Sequence, residues 1–252
     1  MGQITAFARR QVRTRRALVT AAGPRMQQVL EEVSLPTFEW YGARWGYEVL
    51  PTWLPGDGYG SDSGAQDAKW QKIRLLREAL TEFELVVWVD ADVLIQRDDD
   101  DIASHLHPDH FQAMALEQVP AEHRINPNTG VWLLRSGPAA LAFLAEVELR
   151  GPQPGPWADQ GAVLAALGWD RGDENYRWSR PGPGSEFLRG TSWLPPSWNQ
   201  PYLGRREPDE SYNSASTSYE GRPSVDRPHA VHFMGLTPDA RYRHMASAAL
   251  GC

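Results

Sequence analysis

The chain has 252 residues, a formal net charge of −7 and a single cysteine, Cys252, and its composition is 41% hydrophobic and 23% charged. This length and composition are those of an ordinary globular protein that can bury a sizeable core. The acidic balance argues against a nucleic-acid surface, and one cysteine excludes an intrachain disulfide. No apolar run approaches the roughly 18 residues that a membrane span needs.

Strand and helix signals alternate along the first two thirds of the chain, which predicts an α/β fold with a mostly parallel central sheet. An apolar segment at 16–22 predicts the first strand, followed by helices at 24–33, with Pro24 at its start, and at 35–46. Further strands are predicted at 47–51, 85–89, 112–117, 130–135 and 229–235, and further helices at 68–83, 136–150, 157–168 and 237–250. Ser136 is expected to cap the helix that follows it. Residues 169–228, rich in Trp, Tyr, Pro, Gly and Arg, predict long loops with short strands.

Six aspartates follow the apolar strand at 85–89 within a dozen positions. Asp90 and Asp92 come directly after this strand, and ligands of open α/β sheets bind beyond the carboxyl ends of the strands. Two carboxylates on one short segment suit a hard divalent cation such as Mn²⁺ or Mg²⁺, although a water-exposed turn is the alternative. The later run at 98–101 is predicted to be a solvated turn or a helix start rather than part of the same site.

Two further signals favour a metal and phosphate site. The only lysines, Lys69 and Lys72, are expected in the first turn of the helix at 68–83, where a cation opposes the helix dipole unless an anion such as phosphate lies nearby. An exposed helix face is the alternative for both. The segment 229–235 is predicted as a last strand that feeds a loop, with His232 at the end of its apolar strand part, and imidazole is a usual third ligand of Mn²⁺-like ions. Simple packing is the alternative for that histidine.

Seven segments occur in an order that carries a family resemblance. They are YGARWGYEVL, WQKIRLLREAL, VVWVDADVLI, NTGVWLLRSGPAALAFL, WADQGAVLAAL, LPPSWNQ and HFMG, and the resemblance spans about residues 16–235. The series resembles the GT-A glycosyltransferases, nucleotide-sugar enzymes with a D-x-D metal motif. It is most similar to the retaining Golgi-type α-mannosyl-, α-galactosyl- and xyloglucan α-xylosyltransferase family. The resemblance implies one GT-A domain over 1–252, with a sugar-nucleotide half at 16–135, an acceptor-side half at 136–235 and a tail at 236–252.

The resemblance also implies roles for the polar residues of these segments. Asp92 would bind the metal directly, Asp90 would bind the metal or the ribose, and His232 would be the third metal ligand. Lys72 would approach the nucleotide or the phosphates of the donor. The strand segment at 18–22 would hold the base and ribose.

Two other motifs would surround the donor sugar. Asn128, Thr129 and Gly130 would line its pocket, and Gly130 would allow a close backbone approach. Asp159 and Gln160 match the acidic-Gln pair that lies beside the reacting sugar in the family, so they are the candidate catalytic residues. A helix cap is the alternative for Asp159, because aspartate near a helix start is ordinary.

The sequence departs from the family pattern at several places. Trp45 stands where the family usually has the histidine of an RHGY segment, and the HFMG segment lacks the cysteine that often follows its glycine. The eukaryotic members carry a membrane anchor, and none is apparent here. A shared Golgi setting or a shared acceptor is therefore not implied, and the cytoplasm is the default expectation for localisation.

The resulting hypothesis is a metal-dependent hexosyl- or pentosyltransferase that moves a sugar from a nucleoside-diphosphate sugar to a glycan or small-molecule hydroxyl, with retention. Nucleic acid is not an expected partner, and the oligomeric state is not readable. Flat aromatic side chains suit sugar acceptors, but core packing is their commoner role. We therefore expect one or two acceptor contacts among Trp178, Trp193, Trp198 and Tyr202.

Two other functions compete with this hypothesis. The VVWVDADV segment also resembles the opening motif of haloacid-dehalogenase-type phosphatases, but that motif lies near the N-terminus and needs a downstream lysine. Here no lysine follows Lys72. A non-enzymatic alternative is a Ca²⁺-dependent carbohydrate-binding module that uses the aspartates at 98–101. An inactive transferase-like scaffold is a further alternative.

Overall fold

The computed structural model of the chain describes residues 15–55, 64–119, 124–153, 158–172, 179–204, 208–210 and 224–250. The strands are β1 Arg16–Ala22, β2 Tyr47–Trp53, β3 Leu85–Val89, β4 Val93–Ile95, β5 Gln112–Val119, β6 Arg124–Arg135, β7 Thr191–Leu194, β8 Gln200–Pro201 and β9 Ala230–His232. The helices are α1 Pro24–Val29, α2 Leu35–Trp45, α3 Gly64–Glu82, α4 Pro138–Arg150, α5 Ala158–Ala166, α6 Glu186–Arg189 and α7 Pro238–Ala249. Among the described helices, none combines the length and the apolar character that crossing a bilayer requires.

The main sheet has the strand order β2-β1-β3-β6-β5-β7. Strands β1, β2 and β3 pair in parallel, as do β5 and β7, whereas β6 is antiparallel to both of its neighbours. Five of the six strands therefore run in one direction. This confirms the α/β fold with a mostly parallel central sheet that the alternating sequence pattern predicts.

Helices cover the sheet on both faces. On one face, α3, α4 and α5 bury Ile73, Phe143 and Val163 against Trp132 of β6. On the other face, α2 packs Phe38 and Tyr41 against β1 and β3 in a second cluster. A strand that is buried on both faces has no polar side to display, and each residue of β3 is buried accordingly. Burial on both faces explains why the segment LVVWV is apolar throughout.

A second, smaller sheet stands beside the first and has the order β4-β9-β8. In its antiparallel β4–β9 pair, Val93 lies opposite His232. Because β4 begins three residues after β3 ends, this pairing brings the end of β9 to the carboxyl end of β3. The small sheet thus joins segments that are separated by about 140 positions in the chain.

Helix boundaries differ from the sequence expectation, most clearly at the end of α1 and at the starts of α3 and α4. The helix predicted at 24–33 does not end there, because a π-helical turn at Leu30–Ser34 carries it directly into α2. Helix α3 begins at Gly64, four residues earlier than expected, so Lys69 and Lys72 lie beyond its first turn. Ser136 does not cap α4, since its hydroxyl donates to the carbonyl of Leu80 at 2.7 Å.

Among the strands whose bounds differ from the prediction, β6 matters most for the site. Strand β6 begins at Arg124 rather than at Gly130, so Asn128 and Thr129 belong to a strand. Residues 126–134 of this strand are buried. The prediction for 130–135 rested on its apolar composition, whereas polar residues that pair inside a sheet lack that signal. The predicted helix at the C-terminus is confirmed as α7.

Candidate metal centre

The two aspartates of the D-x-D segment lie in a tight turn between the two sheets. The backbone N–H of Asp90 donates to the carbonyl of Gly130 at 2.8 Å, which continues the β3–β6 ladder by one residue. The N–H of Val93 donates to the carbonyl of Asp90 at 3.0 Å, and this bond closes the turn. Both carboxylates therefore emerge at the carboxyl end of β3, as the sequence predicts.

His232 meets these carboxylates from the end of β9. Its Nε2 atom lies 3.2 Å from Oδ1 of Asp92 and 3.8 Å from Oδ2 of Asp90. One ligand atom from each of the three residues lies within 4.8 Å of the others. In an octahedron with bonds of about 2.1 Å, neighbouring ligand atoms are roughly 3.0 Å apart and opposite ones roughly 4.2 Å. The spacing and the donor set of two carboxylates and one imidazole fit a divalent cation such as Mn²⁺.

Arg241 of α7 contributes a charge that the sequence analysis missed. Its Nε atom lies 3.4 Å from Oδ2 of Asp92 and also donates to the carbonyl of Phe233 at 3.1 Å. Burial alone would raise the pKa of Asp92, but the charges of Arg241 and His232 outweigh it and hold that pKa well below its usual range. Asp92 is therefore ionised, with Oδ2 facing Arg241 and Oδ1 facing the position between the three candidate ligands.

The charge of Asp92 acts on His232 in turn. Burial alone would lower the pKa of this imidazole, but the charge of Asp92 and the hydrogen bond to it raise the pKa above its ordinary value. A metal ion needs the unprotonated nitrogen. Metal binding at Nε2 would therefore compete with a proton at the same atom.

Lys72 is buried at the opposite side of Asp90. Its Nζ atom lies 2.8 Å from Oδ2 of Asp159 and 3.1 Å from Oδ1 of Asp90, and it donates to Thr129 at 3.3 Å. It also lies 5.3 Å from the centre of the Trp88 ring. Burial would lower the pKa of Lys72, but Asp159 and Asp90 reverse the effect and raise it. The ammonium group ties two candidate site residues together, and only 5% of the lysine is exposed.

Asp159 and Gln160 occupy the first turn of α5. The carboxylate of Asp159 is buried and accepts from Lys72 and from the Thr129 hydroxyl, at 3.3 Å in the latter case. These partners belong to α3 and β6, so Asp159 ties three elements together and is more than a cap of its own helix. Gln160 is half-buried beside it and makes no side-chain hydrogen bond with the described part of the chain.

Asn128 and Gly130 lie next to the histidine and form a polar cluster with Asn199. Oδ1 of Asn128 accepts from the Gly130 N–H and from Nδ2 of Asn199, both at 2.8 Å. Oδ1 of Asn199 faces Nδ1 of His232 at 3.0 Å. A Cβ placed on Gly130 would lie 2.4 Å from Cε1 of His232, so glycine at this position makes room for the imidazole ring. The LPPSWNQ segment contained Asn199, but nothing in the sequence assigned it a partner.

The acidic run at 98–101 has other partners and does not join this site. The carboxylate of Asp101 caps a short 3₁₀ helix by accepting from the Ala103 N–H at 3.1 Å. It also accepts from the Tyr47 hydroxyl at 2.8 Å and from the Arg16 guanidinium at 2.7 Å. The prediction of a turn or helix start is confirmed for this residue.

Two neighbouring aspartates of the run also pair with side chains outside the D-x-D site. Asp100 pairs with His105 at 2.6 Å, and Asp99 pairs with Arg97. In the described part of the chain, the only group of three or more metal-ligating side chains with suitable spacing is Asp90, Asp92 and His232. The described aspartates at 98–101 therefore do not form the cluster of metal-ligating side chains that the Ca²⁺-dependent alternative predicts.

The aromatic residues divide between core and surface. Trp198 is buried and stacks on His229 with ring centroids 4.8 Å apart, and Tyr202 stacks on Phe233 at 4.6 Å. Trp193 is 38% exposed. Trp178 lies outside the described residues. The expectation that most of these side chains pack in the core holds for Trp198, and Trp193 alone of the described ones has a large exposed face.

Comparison with solved structures identifies the fold. A glycosyltransferase involved in the glycosylation of the major capsid of PBCV-1 superposes with a TM-score of 0.52 at 17% identity, with 92% of this chain and 99% of that chain covered. The bifunctional glycosyltransferase WbbM superposes with a TM-score of 0.53 at 9% identity, with 93% of this chain and 50% of that chain covered. No family model and no curated protein matches the sequence. The chain has the GT-A glycosyltransferase fold, and the likeness favours neither the phosphatase nor the Ca²⁺-module alternative.

Proposed function

We propose that the protein is a metal-dependent glycosyltransferase that moves a sugar from a nucleoside-diphosphate sugar to an acceptor hydroxyl. The observation that carries this proposal is the convergence of Asp90, Asp92 and His232, whose ligand atoms lie within 4.8 Å of one another. They meet at the carboxyl end of a strand, where ligands of open α/β sheets bind. A GT-A fold around such a site supports transfer from a sugar nucleotide.

Asp90, Asp92 and His232 would hold Mn²⁺ or Mg²⁺, with Oδ1 of Asp92 and Nε2 of His232 turned toward it. A divalent cation bound there would neutralise the charge that builds on the leaving diphosphate. Arg241 would keep Asp92 ionised and turned in one direction, because it binds the second carboxylate oxygen. The first coordination partners would thus be set before the donor arrives.

Lys72 would act as a positioning residue rather than as a direct phosphate ligand. Its ammonium group already contacts Asp159, Asp90 and Thr129 within 3.3 Å, and it is nearly inaccessible to solvent. Its charge still contributes to the field at the site, because a buried cation is little screened. The lysine would therefore fix the distance between the metal side and the sugar side of the site.

On the sugar side, Asp159 and Gln160 would be the catalytic residues, and Asn128, Thr129 and Gly130 would line the donor-sugar pocket. The carboxylate of Asp159 lies 2.8 Å from Nζ of Lys72 at the sugar side, where it would stabilise positive charge at the reacting carbon or orient the sugar. With retention, the acceptor attacks the face from which the diphosphate departs. The departing phosphate oxygen then takes the acceptor's proton, and no strong protein base is required.

The acceptor would be a glycan or a small-molecule hydroxyl, and the transferred sugar a hexose or a pentose. We assign the donor to residues 16–135 and the acceptor to residues 136–235 of one domain. Among Trp193, Trp198 and Tyr202, Trp193 is the candidate for contact with a sugar ring, since 38% of it is exposed. The fold is compatible with the retaining family whose motifs the sequence resembles.

The first test is the thermal stability of the protein with a panel of nucleotide sugars and nucleoside diphosphates, each with and without Mn²⁺. A ligand that binds only the folded state raises the melting temperature by mass action. We expect a rise that requires both Mn²⁺ and nucleotides of one base. A rise with Ca²⁺ alone, and none with any nucleotide, would contradict the proposal.

A further inference from the structure

We propose that Asn199 is a positioning residue that fixes the tautomer of His232, with the hydrogen on Nδ1 and the lone pair of Nε2 facing Asp90 and Asp92. The inference rests on the proposed function for the role of the metal. Its structural part concerns only protein atoms, because the partners of Nδ1 lie within the chain. Metal-ligating histidines commonly depend on such a second partner for their orientation.

The contacts form a continuous chain from a backbone amide to the imidazole. The N–H of Gly130 donates to Oδ1 of Asn128 at 2.8 Å. The same oxygen accepts from Nδ2 of Asn199 at 2.8 Å, and Oδ1 of Asn199 lies 3.0 Å from Nδ1 of His232. Nδ2 of Asn128 donates to Oε2 of Glu117 at 3.3 Å at the far end. Each amide group is thus engaged through both its oxygen and its nitrogen.

The donor and acceptor roles along this series of hydrogen bonds are fixed by the N–H of Gly130, which cannot accept. A backbone N–H can only donate, so the oxygen of Asn128 must face Gly130. That same oxygen then requires the NH₂ group of Asn199, which leaves the carbonyl oxygen of Asn199 to face His232. A carbonyl oxygen can only accept, and Nδ1 of His232 must therefore carry the hydrogen.

Because these side chains are buried, reversing their hydrogen bonds would cost free energy. Asn128, Asn199 and His232 are 4%, 6% and 5% exposed. Turning the Asn199 amide around would place its oxygen against the Asn128 oxygen and its NH₂ group against Nδ1. Buried polar groups without a complementary partner are costly, and water has little access to replace the lost bonds.

The ring itself is held in place by two independent features. Gly130 supplies the space for the imidazole, because a Cβ at this position would come within 2.6 Å of Nδ1. Asn199 directly precedes β8, which runs parallel to β9 and pairs Pro201 with His232. The imidazole is therefore positioned near Cε1 and Nδ1 by Gly130 of β6, and at Nδ1 by Asn199.

A hydrogen on Nδ1 leaves the other ring nitrogen, Nε2, free to bind a metal ion. In a neutral imidazole with its hydrogen on Nδ1, Nε2 has the lone pair that a metal ligand needs. The competing tautomer would place a hydrogen on Nε2, which lies 3.2 Å from Oδ1 of Asp92 and could donate to it. Asn199 would disfavour that competitor and so keep the third ligand available.

The experiment uses Asn199→Leu, which removes the acceptor at similar size, and Asn199→Asp, which keeps an acceptor for Nδ1. The matched control is Ser197→Ala. Ser197 lies two residues earlier and makes a comparable bond, at 3.1 Å, to Nδ1 of His229, which is not a candidate ligand. The tautomer is read from ¹⁵N NMR of the metal-free protein at a pH where His232 is neutral. Mn²⁺ affinity is measured by calorimetry.

We expect His232 to carry its hydrogen on Nδ1 in the unaltered protein, in Asn199→Asp and in Ser197→Ala. In Asn199→Leu we expect the hydrogen to move toward Nε2 and Mn²⁺ affinity to fall by about 10- to 100-fold, the usual effect of losing an outer partner. Asn199→Asp should bind Mn²⁺ no more weakly than the unaltered protein. If Asn199→Leu does not fold, a hydrogen on Nε2 in Asn199→Asp would by itself overturn the proposal.

Two other results would overturn it and are separable from failure of the proposed function. A hydrogen on Nε2 in the unaltered protein would show that the amide chain does not set the tautomer. Unchanged tautomer and affinity in Asn199→Leu would reduce Asn199 to a packing role. If the unaltered protein bound no divalent cation, the metal-dependent function would fail, while the NMR comparison would still decide the tautomer.

Discussion

Asp90 and Asp92 converge with a histidine from a distant strand, whereas the aspartates at 99–101 each engage a partner of their own. Both groups follow the same buried strand within twelve residues, and their compositions are alike. The difference is in what approaches them. In the first group, Lys72 and Arg241 bind one oxygen of each carboxylate, and the other two oxygens face the same imidazole, that of His232. In the second group, each carboxylate has separate partners, which are arginine, histidine, tyrosine and a backbone N–H.

This contrast teaches that an acidic cluster is identified as a metal site by its neighbours rather than by its own charge. Asp92 receives Arg241 on one oxygen and leaves the other facing His232. Asp101 uses both oxygens on Arg16, Tyr47 and a helix N-terminus.

The largest effect is expected from Lys72→Met, which removes the buried cation of the first group. Asp159 would remain buried with an unpaired charge, so the free energy of unfolding should fall by about 3–5 kcal/mol, measured by urea denaturation. The control is Arg74→Met on the same helix, where the ion pair with Glu78 is more than half exposed and is worth at most about 1 kcal/mol. Equal stability losses for the two variants would contradict the assigned role of Lys72.

Asp92→Asn should weaken Mn²⁺ binding by more than about 100-fold, because it removes a charged ligand rather than an outer partner. Calorimetry of Mn²⁺ binding in the presence of a nucleoside diphosphate measures the effect. Asp100→Asn is the matched control, since it makes the same change eight residues later, where the carboxylate binds His105. Similar Mn²⁺ affinities in the two variants would break the contrast between the groups.

Asp101→Ala should lower the stability of the protein without weakening Mn²⁺ binding. The 3₁₀ helix loses its cap and the buried Tyr47 hydroxyl loses its acceptor, so stability should fall by about 2 kcal/mol. Urea denaturation measures this loss, and Mn²⁺ affinity of the folded protein should be unchanged. A loss of Mn²⁺ affinity without a loss of stability would place Asp101 in the metal centre instead.

The smallest effect is expected from Asp99→Asn. The side chain is more than half exposed and its pair with Arg97 lies at the surface, so neither the urea midpoint nor Mn²⁺ affinity should change measurably. Calorimetry with Ca²⁺ tests whether the acidic run binds this ion. Any Ca²⁺ binding that Asp99→Asn abolishes would revive a Ca²⁺ site in the acidic run.

Much of the architecture could be predicted from the sequence because it follows from local periodicity. The first strand and the strand at 85–89 have the predicted bounds, and the helix predicted at 35–46 ends within one residue of its expected end, with Gly46 as its C-cap. The D-x-D segment could be placed at the end of a strand because five apolar residues precede it. Polar residues inside β6 escaped prediction, since a strand that buries hydrogen-bonded amides shows no alternation.

For the candidate site, the sequence predicted which residues would take part but not the distances between their side chains. Asp90, Asp92 and His232 were nominated by motif, and the β4–β9 pairing brings them together. Arg241 and Asn199 were not nominated. Each contacts a candidate ligand only because a helix or a strand end from a remote part of the chain packs beside it.

The order of the elements, the buried character of β3 and the two carboxylates at its end could be predicted from the sequence, because these depend on neighbours within a few positions. The packing of distant segments placed Lys72 between Asp90 and Asp159, and it brought His232 to both Asp90 and Asp92. The reason is that the charge and hydrogen-bonding state of a buried side chain depend on whatever lies within about 4 Å. Those neighbours come from segments far apart in the chain.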